Sequence, residues 1–243
     1  DTSDGWAEAS QTAHELGMGL VPGLELSTQN NGRSIHIVSY LVDPLHAELQ
    51  EELLKIRGER VLRAKTIVDN IAQDYDFAWE LVAEQAPPGT TVGRPHIADA
   101  LVKAGFSEDR SAAFREILHP SRGYTIPTYA PEPWAGTELI RRAGGVPVLA
   151  HPGTSTRTII PKEALAKLVD AGLFGLEIEH PENLDERKVQ LYELAKYFNL
   201  AVTGSSDWHG TGKVNRLGER TTDPAVFELL MAEASGSQAI LPQ

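Results

Sequence analysis

Carboxylates and imidazoles stand at, inside or just beyond five apolar segments of this chain. Gly19–Leu24 runs into Glu25, and Ser34-Ile35 and Ile37-Val38 flank His36. Val146–Ala150 delivers His151, and Gly175–Glu179 delivers His180. Ala201–Gly204 leads through Ser205-Ser206 to Asp207-Trp208-His209. Repeated at strand ends, the pattern suggests a barrel or wound sheet whose carboxyl rim gathers ligands from distant parts of the sequence. Glu25, His36, His151, Asp207 and His209 offer only carboxylate and imidazole, a donor set that suits Zn, Mn or Fe. Asp207 and His209, two apart, point to the same side of an extended segment. A carboxylate such as Glu25 can bridge two cations, and closely spaced cations are what phosphoester hydrolysis uses. Taken singly, each residue has an ordinary reading: a strand-end carboxylate paired with Arg, a hydrogen-bonded core histidine, a strand terminator. Together those readings need five independent coincidences. His180 is the weaker member, because Glu177 and Glu179 share its strand and only alternate positions face one side.

An anionic substrate needs cationic contacts. Arg94 and His96 open a helix after Gly93, where backbone amides could hold an anion, although a Pro95-led helix start explains them equally well. Arg122 on a returning loop, Lys213 on a glycine-rich loop with Asn215 and Arg216, and His180 are further candidates for phosphate contacts. Arg57, Arg60 and Arg63 recur every three residues among Glu residues and read as a solvated helix face. Tyr124, Tyr129 and Trp134 could stack a base, but core packing is the commoner use of such rings. His14, His46 and His119 read as surface residues.

The elements that must position these groups follow from periodicity. Gly5–Leu16 reads as a helix and Met18–Ser27 as a strand, then Gln29-Asn30-Asn31-Gly32 signals a hairpin into the strand Ser34–Val42. Leu49, Leu53 and Ile56, then Ala64, Ile67 and Ile71, repeat at helical spacing, with shorter helices at Phe77–Gln85, His96–Ala104 and Ser111–Leu118. After Trp134 helix and strand alternate, and the strands are continuous apolar runs, as burial on both faces of a parallel sheet requires. Asn183 and Glu186 resemble a capping box before the helix Leu184–Phe198. The expected organisation is an α/β fold with residues 1–43 as a first barrel part, 44–133 as a helical insertion and 134–243 as a second barrel part.

With 243 residues, about two-fifths apolar, the chain is long enough for a proper core. It holds no cysteine, which excludes disulfides and thiolate metal sites. A net charge of -12 argues against a general duplex nucleic-acid surface, but an acidic pocket loaded with cations can still take a small anion. No segment has the length and apolarity of a membrane span, so a cytoplasmic setting is expected. The chain opens at Asp1-Thr2 on a helix start with no strand before it, which suggests a truncated or processed polypeptide.

The motifs Gly23-Leu24-Glu25-Leu26-Ser27, Ser34-Ile35-His36-Ile37-Val38, Leu149-Ala150-His151-Pro152 and Gly204-Ser205-Ser206-Asp207-Trp208-His209-Gly210 resemble, in order, those of the PHP (polymerase and histidinol phosphatase) superfamily. Val92-Gly93-Arg94-Pro95-His96-Ile97-Ala98 and Gly123-Tyr124-Thr125-Ile126-Pro127 are similar to its nucleotide-phosphatase branch. The resemblance implies a distorted (β/α)7 barrel and a centre of two or three divalent ions. On that pattern Glu25 bridges two metals, His36 and His151 complete the second, Asp207 joins the first and His209 the third. The family's leading His-x-His, the acidic ligand after it and the Asp-His at the second strand lie outside this sequence.

The resemblance thus implies a metal-dependent phosphoesterase. Its substrate is expected to be a small anionic nucleotide, a nucleoside 3',5'-bisphosphate or a short RNA end, attacked by metal-bound hydroxide. Histidinol-phosphate phosphatase shares such a core, though the bulk of the insertion argues against it. An amidohydrolase would often use a carboxylated lysine, and no Lys stands at a strand end. A PHP domain with a binding or structural role is the alternative outside catalysis.

Overall fold

The structure is a computed structural model, and it describes residues 1–86, 90, 92–154, 159–210 and 214–242. In chain order its elements are α1 (Trp6–Leu16), β1 (Gly23–Asn30), β2 (Arg33–Tyr40), α2 (Ala47–Ile71), α3 (Trp79–Ala83), α4 (Arg94–Lys103) and α5 (Arg110–Glu116). They continue with α6 (Pro133–Arg142), β3 (Val146–Leu149), α7 (Lys162–Asp170), β4 (Gly175–Glu179), α8 (Asp185–Phe198), β5 (Ala201–Gly204) and α9 (Pro224–Glu233). The chain divides into two compact units, one of Asp1–Leu53 with Pro131–Gln243, the other of Leu54–Ala130. The division falls inside α2, a single helix in which the periodic positions Leu49, Leu53, Ile56, Ala64, Ile67 and Ile71 are buried.

The first unit is mixed α/β. Among the described residues its five strands form one sheet in the order β1-β2-β3-β4-β5, antiparallel from β1 to β3 and parallel from β3 to β5. Asn31 and Gly32 both have positive φ, 50° and 75°, the two-residue turn that suits the twist of a hairpin. Strand limits differ from expectation: β1 runs on to Asn30 beyond Ser27, β2 begins at Arg33 ahead of Ser34, and β3 ends at Leu149 short of Ala150. β1 starts at Gly23 because Leu20 makes only an isolated bridge, to Ile240, and β2 stops at Tyr40 because Leu41 turns left-handed. The hairpin register sets Ser27 opposite His36 and Glu25 opposite Val38. Alternation then puts Glu25, His36, Val38 and Tyr40 on one face and Leu24, Leu26 and Ile37 on the other. α6 packs on β1, β2 and β3, with Gly136 seated where a Cβ would lie 2.9 Å from the Thr28 methyl.

β4 carries the irregularity that matters most for the site. Its pairing with β5 runs Glu177↔Thr203 and then Glu179↔Gly204, so one residue is bulged between them. In a regular strand Glu177 and Glu179 would share a face; the extra residue re-aims the strand. Glu177 is buried, whereas Glu179 meets α8, accepting from Tyr192 Oη at 2.7 Å and from Lys188 Nζ at 3.2 Å. The expected capping box at Asn183 is not formed. Leu184 is the N-cap of α8, and the Asn183 side chain accepts from Gly153 N–H and donates to the Glu177 and Ile178 carbonyls. That staple ties the segment after β3 to the end of β4.

The second unit is helical. Ala64, Ile67, Ile71, Phe77, Val82, Ile97 and Leu101 are among the residues of its core. The arginine stripe differs from the solvated face expected of it: Arg63 Nε donates to the Ile126 carbonyl at 2.6 Å, which binds α2 to the returning segment. Tyr124 packs on the core and donates to Asp74, and Tyr129 lies under Lys55, so both rings are used structurally. Among the described residues no helix is long and apolar enough to cross a membrane.

The Glu179 clamp has a pH signature. The Tyr192 hydroxyl, first, and Lys188 with Arg220 hold this carboxylate below its ordinary range despite partial burial. A depressed carboxylate contributes stability above its ordinary pKa and loses it as pH falls through the folded value. Glu179→Gln is expected to lower the urea midpoint at neutral pH, with the gap from the parent closing on acidification below the carboxylate range.

Candidate metal centre

The face of the sheet opposite α6 gathers the expected ligands. Glu25 from β1, His36 from β2 and His151 just past β3 each offer one donor atom, all within 4.8 Å of one another. Glu25 Oε1 touches His36 Nδ1 and lies 3.3 Å from His151 Nε2. The two imidazoles meet edge to face, with centroids 5.3 Å apart. Ser34 Oγ lies 2.9 Å from His36 Nε2, so Nδ1 is the atom left for the Glu25 side. Burial alone would raise the Glu25 pKa, but the hydrogen bonds and charges of His151 and His36 outweigh it, and the carboxyl is held well below its usual range.

The remaining candidates continue the same row. The His151 ring is 5.2 Å from that of His180, whose Nε2 lies 3.4 Å from Asp207 Oδ2. His209 Nδ1 lies 2.8 Å from the Asp207 carbonyl and 3.3 Å from its Oδ1. A carbonyl only accepts, so that nitrogen carries the proton, and Nε2 holds the lone pair whenever the ring is neutral. Glu25, His151 and Asp207 line one cavity of about 230 Å³ together with Gly23, Val38, Tyr40, Glu177 and Ser205. Both His151 and Asp207 adopt positive φ, 32° and 46°, an uncommon conformation for residues with a side chain. Trp208 is half exposed and does not anchor the segment; buried Asn215 does, donating to the Ser206 carbonyl at 3.0 Å.

The candidate phosphate contacts are more scattered. Arg94 opens α4 with its guanidinium 5.8 Å from the Phe114 ring, and His96 Nδ1 accepts the Gly93 N–H at 3.1 Å as a helix cap. Arg122 ends a 3-10 turn, Pro120–Arg122, before left-handed Gly123. All three belong to the helical unit. Lys213 lies outside the described residues, and His180 is fully buried behind Asp207.

Glu177 was not among the sequence candidates. Its Oε2 accepts the His151 backbone N–H at 3.0 Å and so fixes the left-handed turn that aims the imidazole. Burial pushes its carboxyl up to about 7, against the pull of His180 and of that N–H. The available signal was a charged residue inside an otherwise apolar run, Gly175–Ile178, where burial demands a partner. Glu177→Ala strands the buried N–H and is expected to cost about 1–3 kcal/mol in chemical denaturation. Glu177→Gln, whose amide oxygen still accepts, should recover most of that loss.

The chain is similar to known proteins. The crystal structure of a Bifidobacterium adolescentis protein described as a metal-dependent phosphoesterase superposes with a TM-score of 0.88 at 36% identity, covering 96% of this chain and 83% of that one. A 3',5'-nucleoside bisphosphate phosphatase of Chromobacterium violaceum is 31% identical over 89% of this chain and 76% of its own length. The 5'-3' exoribonuclease Rnm of Salmonella typhimurium is 29% identical over 88% and 73%. No protein-family model matches the chain. These relatives define the class: a hydrolase of phosphoric esters. The chain belongs to the PHP superfamily of metal-dependent phosphoesterases.

Proposed function

We propose that this chain removes phosphate from a small nucleotide, either a nucleoside 3',5'-bisphosphate or the end of a short RNA, on a distorted PHP barrel. The observation that carries the reading is the convergence of Glu25, His36 and His151 beside Asp207. The donor set fits Mn, Zn or Fe, and all its atoms are oxygen or imidazole nitrogen. Glu25, His36 and His151 would hold one ion, with Glu25 and Asp207 reaching a second and His209 a third. Divalent ions held there supply Lewis acidity toward the phosphoryl oxygens and acidify water at neutral pH.

The protein's own part is positional. Glu25, kept ionised by its two histidines, brings a fixed negative charge to the cavity floor. Glu177 and the Asn183 staple hold the His151 turn, and Asn215 holds Asp207. The 230 Å³ cavity is below the usual size of small-molecule sites, so it suits ions and a phosphoryl group, with the nucleoside lying outside it. Arg122, Arg94 and Lys213 are the cationic groups proposed for the substrate's phosphates, and His96 is proposed as a neutral contact. The names of the bisphosphatase and exoribonuclease relatives support this substrate class.

Phosphate release from adenosine 3',5'-bisphosphate tests the reading. Chelated protein should be inactive and regain turnover with Mn or Zn. His151→Ala should lower metal-dependent turnover by about 100-fold or more while the circular dichroism spectrum is kept. Undiminished turnover in that variant would remove His151 from the centre.

A further inference from the structure

His180 departs from the behaviour of a metal ligand. Its Nδ1 accepts the backbone N–H of Glu182 at 3.1 Å. A nitrogen that accepts a hydrogen bond carries no proton, so the proton of the neutral ring sits on Nε2. Nε2 is buried and, among the described residues, makes no hydrogen bond; Asp207 Oδ2 stands 3.4 Å from it. A lone pair 3.4 Å from a carboxylate oxygen would be repelled, whereas the positive end of an N–H is attracted there even outside hydrogen-bond geometry, so the two observations agree. The ring has little freedom to reverse this choice. His180 is fully buried, its backbone is tied into a turn by His180 N–H to the Ile178 carbonyl and Asn183 N–H to the His180 carbonyl, and its ring is tilted against that of His151.

Resting on the metal-centre reading above, we infer that His180 is a positioning residue: a fixed Nε2–H dipole that orients the Asp207 carboxylate, not an ion ligand and not a phosphate contact. Asp207 is bracketed, with Oδ2 facing the His180 N–H and Oδ1 lying 3.3 Å from His209 Nδ1. The β4 bulge makes this possible. Glu177 and His180, three residues apart, would face opposite sides of a regular strand, yet both meet site residues from β4 and the turn after it. One strand end therefore supports both neighbouring ligands, His151 through a carboxylate and Asp207 through an imidazole.

Nitrogen-15 NMR of the histidine side chains in the full chain reads the tautomer directly, with His180→Gln locating the signal. The Nε2–H form is expected in both metal-free and zinc-loaded protein. An Nδ1–H tautomer, or an Nε2 shift diagnostic of zinc coordination, would overturn the inference. Zinc binding by the variants gives the second arm. The Gln amide N–H reaches the place of Nε2, so His180→Gln should keep zinc affinity within about threefold, while His180→Ala should weaken one ion by about 10–100-fold. Equal losses in both variants would make His180 a ligand, and no loss in either would make it merely structural. If His180→Ala does not fold, the tautomer and the Gln variant still decide. A parent chain that binds no zinc would sink the metal-centre reading, while the tautomer measurement would still judge His180.

Discussion

A half-buried carboxylate set among imidazoles is the interaction on which the rest of the first unit turns. Desolvation works against the charge on Glu25, and only the contacts with His36 and His151 reverse that penalty. Those contacts require three chain segments to meet: the two arms of a hairpin and the end of a strand more than a hundred residues later. The hairpin supplies the first pair through its register, since Ser27 opposite His36 leaves Glu25 diagonal to it on the same face. β3 supplies the second because it pairs with β2, so that Leu149 stands beside Ile37 and the chain leaves the sheet next to His36. The apolar face packed on α6 fixes this register, because a one-residue slip would bury Glu25 and expose Leu24 and Leu26.

A second layer keeps the candidate ligands aimed. His151 and Asp207 both sit in left-handed backbone, which costs energy unless neighbours hold it. Glu177 and the Asn183 staple hold the first, and Asn215 with the Ser205 hydroxyl holds the second. Most of this support comes from β4 and the turn after it. A buried acid with a raised pKa, a locked imidazole and a bridging amide thus form one brace beneath the site.

Much of this was legible in the sequence, for a physical reason. Apolar runs ending in Glu or His state both the strand and the place where a polar group must find partners. Asn31-Gly32 states the turn through its tolerance of positive φ. The parts that were not legible depend on pairing between distant segments. The β4 bulge exists only relative to β5, and it alone lets Glu177 and Glu179 face opposite ways. Glu177 finds its partner in a backbone N–H 26 residues away, which no local pattern reveals. Asn183 had the composition of a helix cap, and tertiary contacts claimed its amide instead. Asn215, which donates to the Ser206 carbonyl from nine residues on, likewise carries no local signal of its role.

The central claim is that Glu25, His36 and His151 converge in order to hold a divalent ion. Anomalous diffraction at the manganese edge, from crystals grown with Mn2+, tests it most directly. The account predicts a peak lying about 2.0–2.3 Å from a donor atom of each of the three residues. A well-ordered site with no peak between them, or manganese bound only elsewhere on the chain, would contradict it.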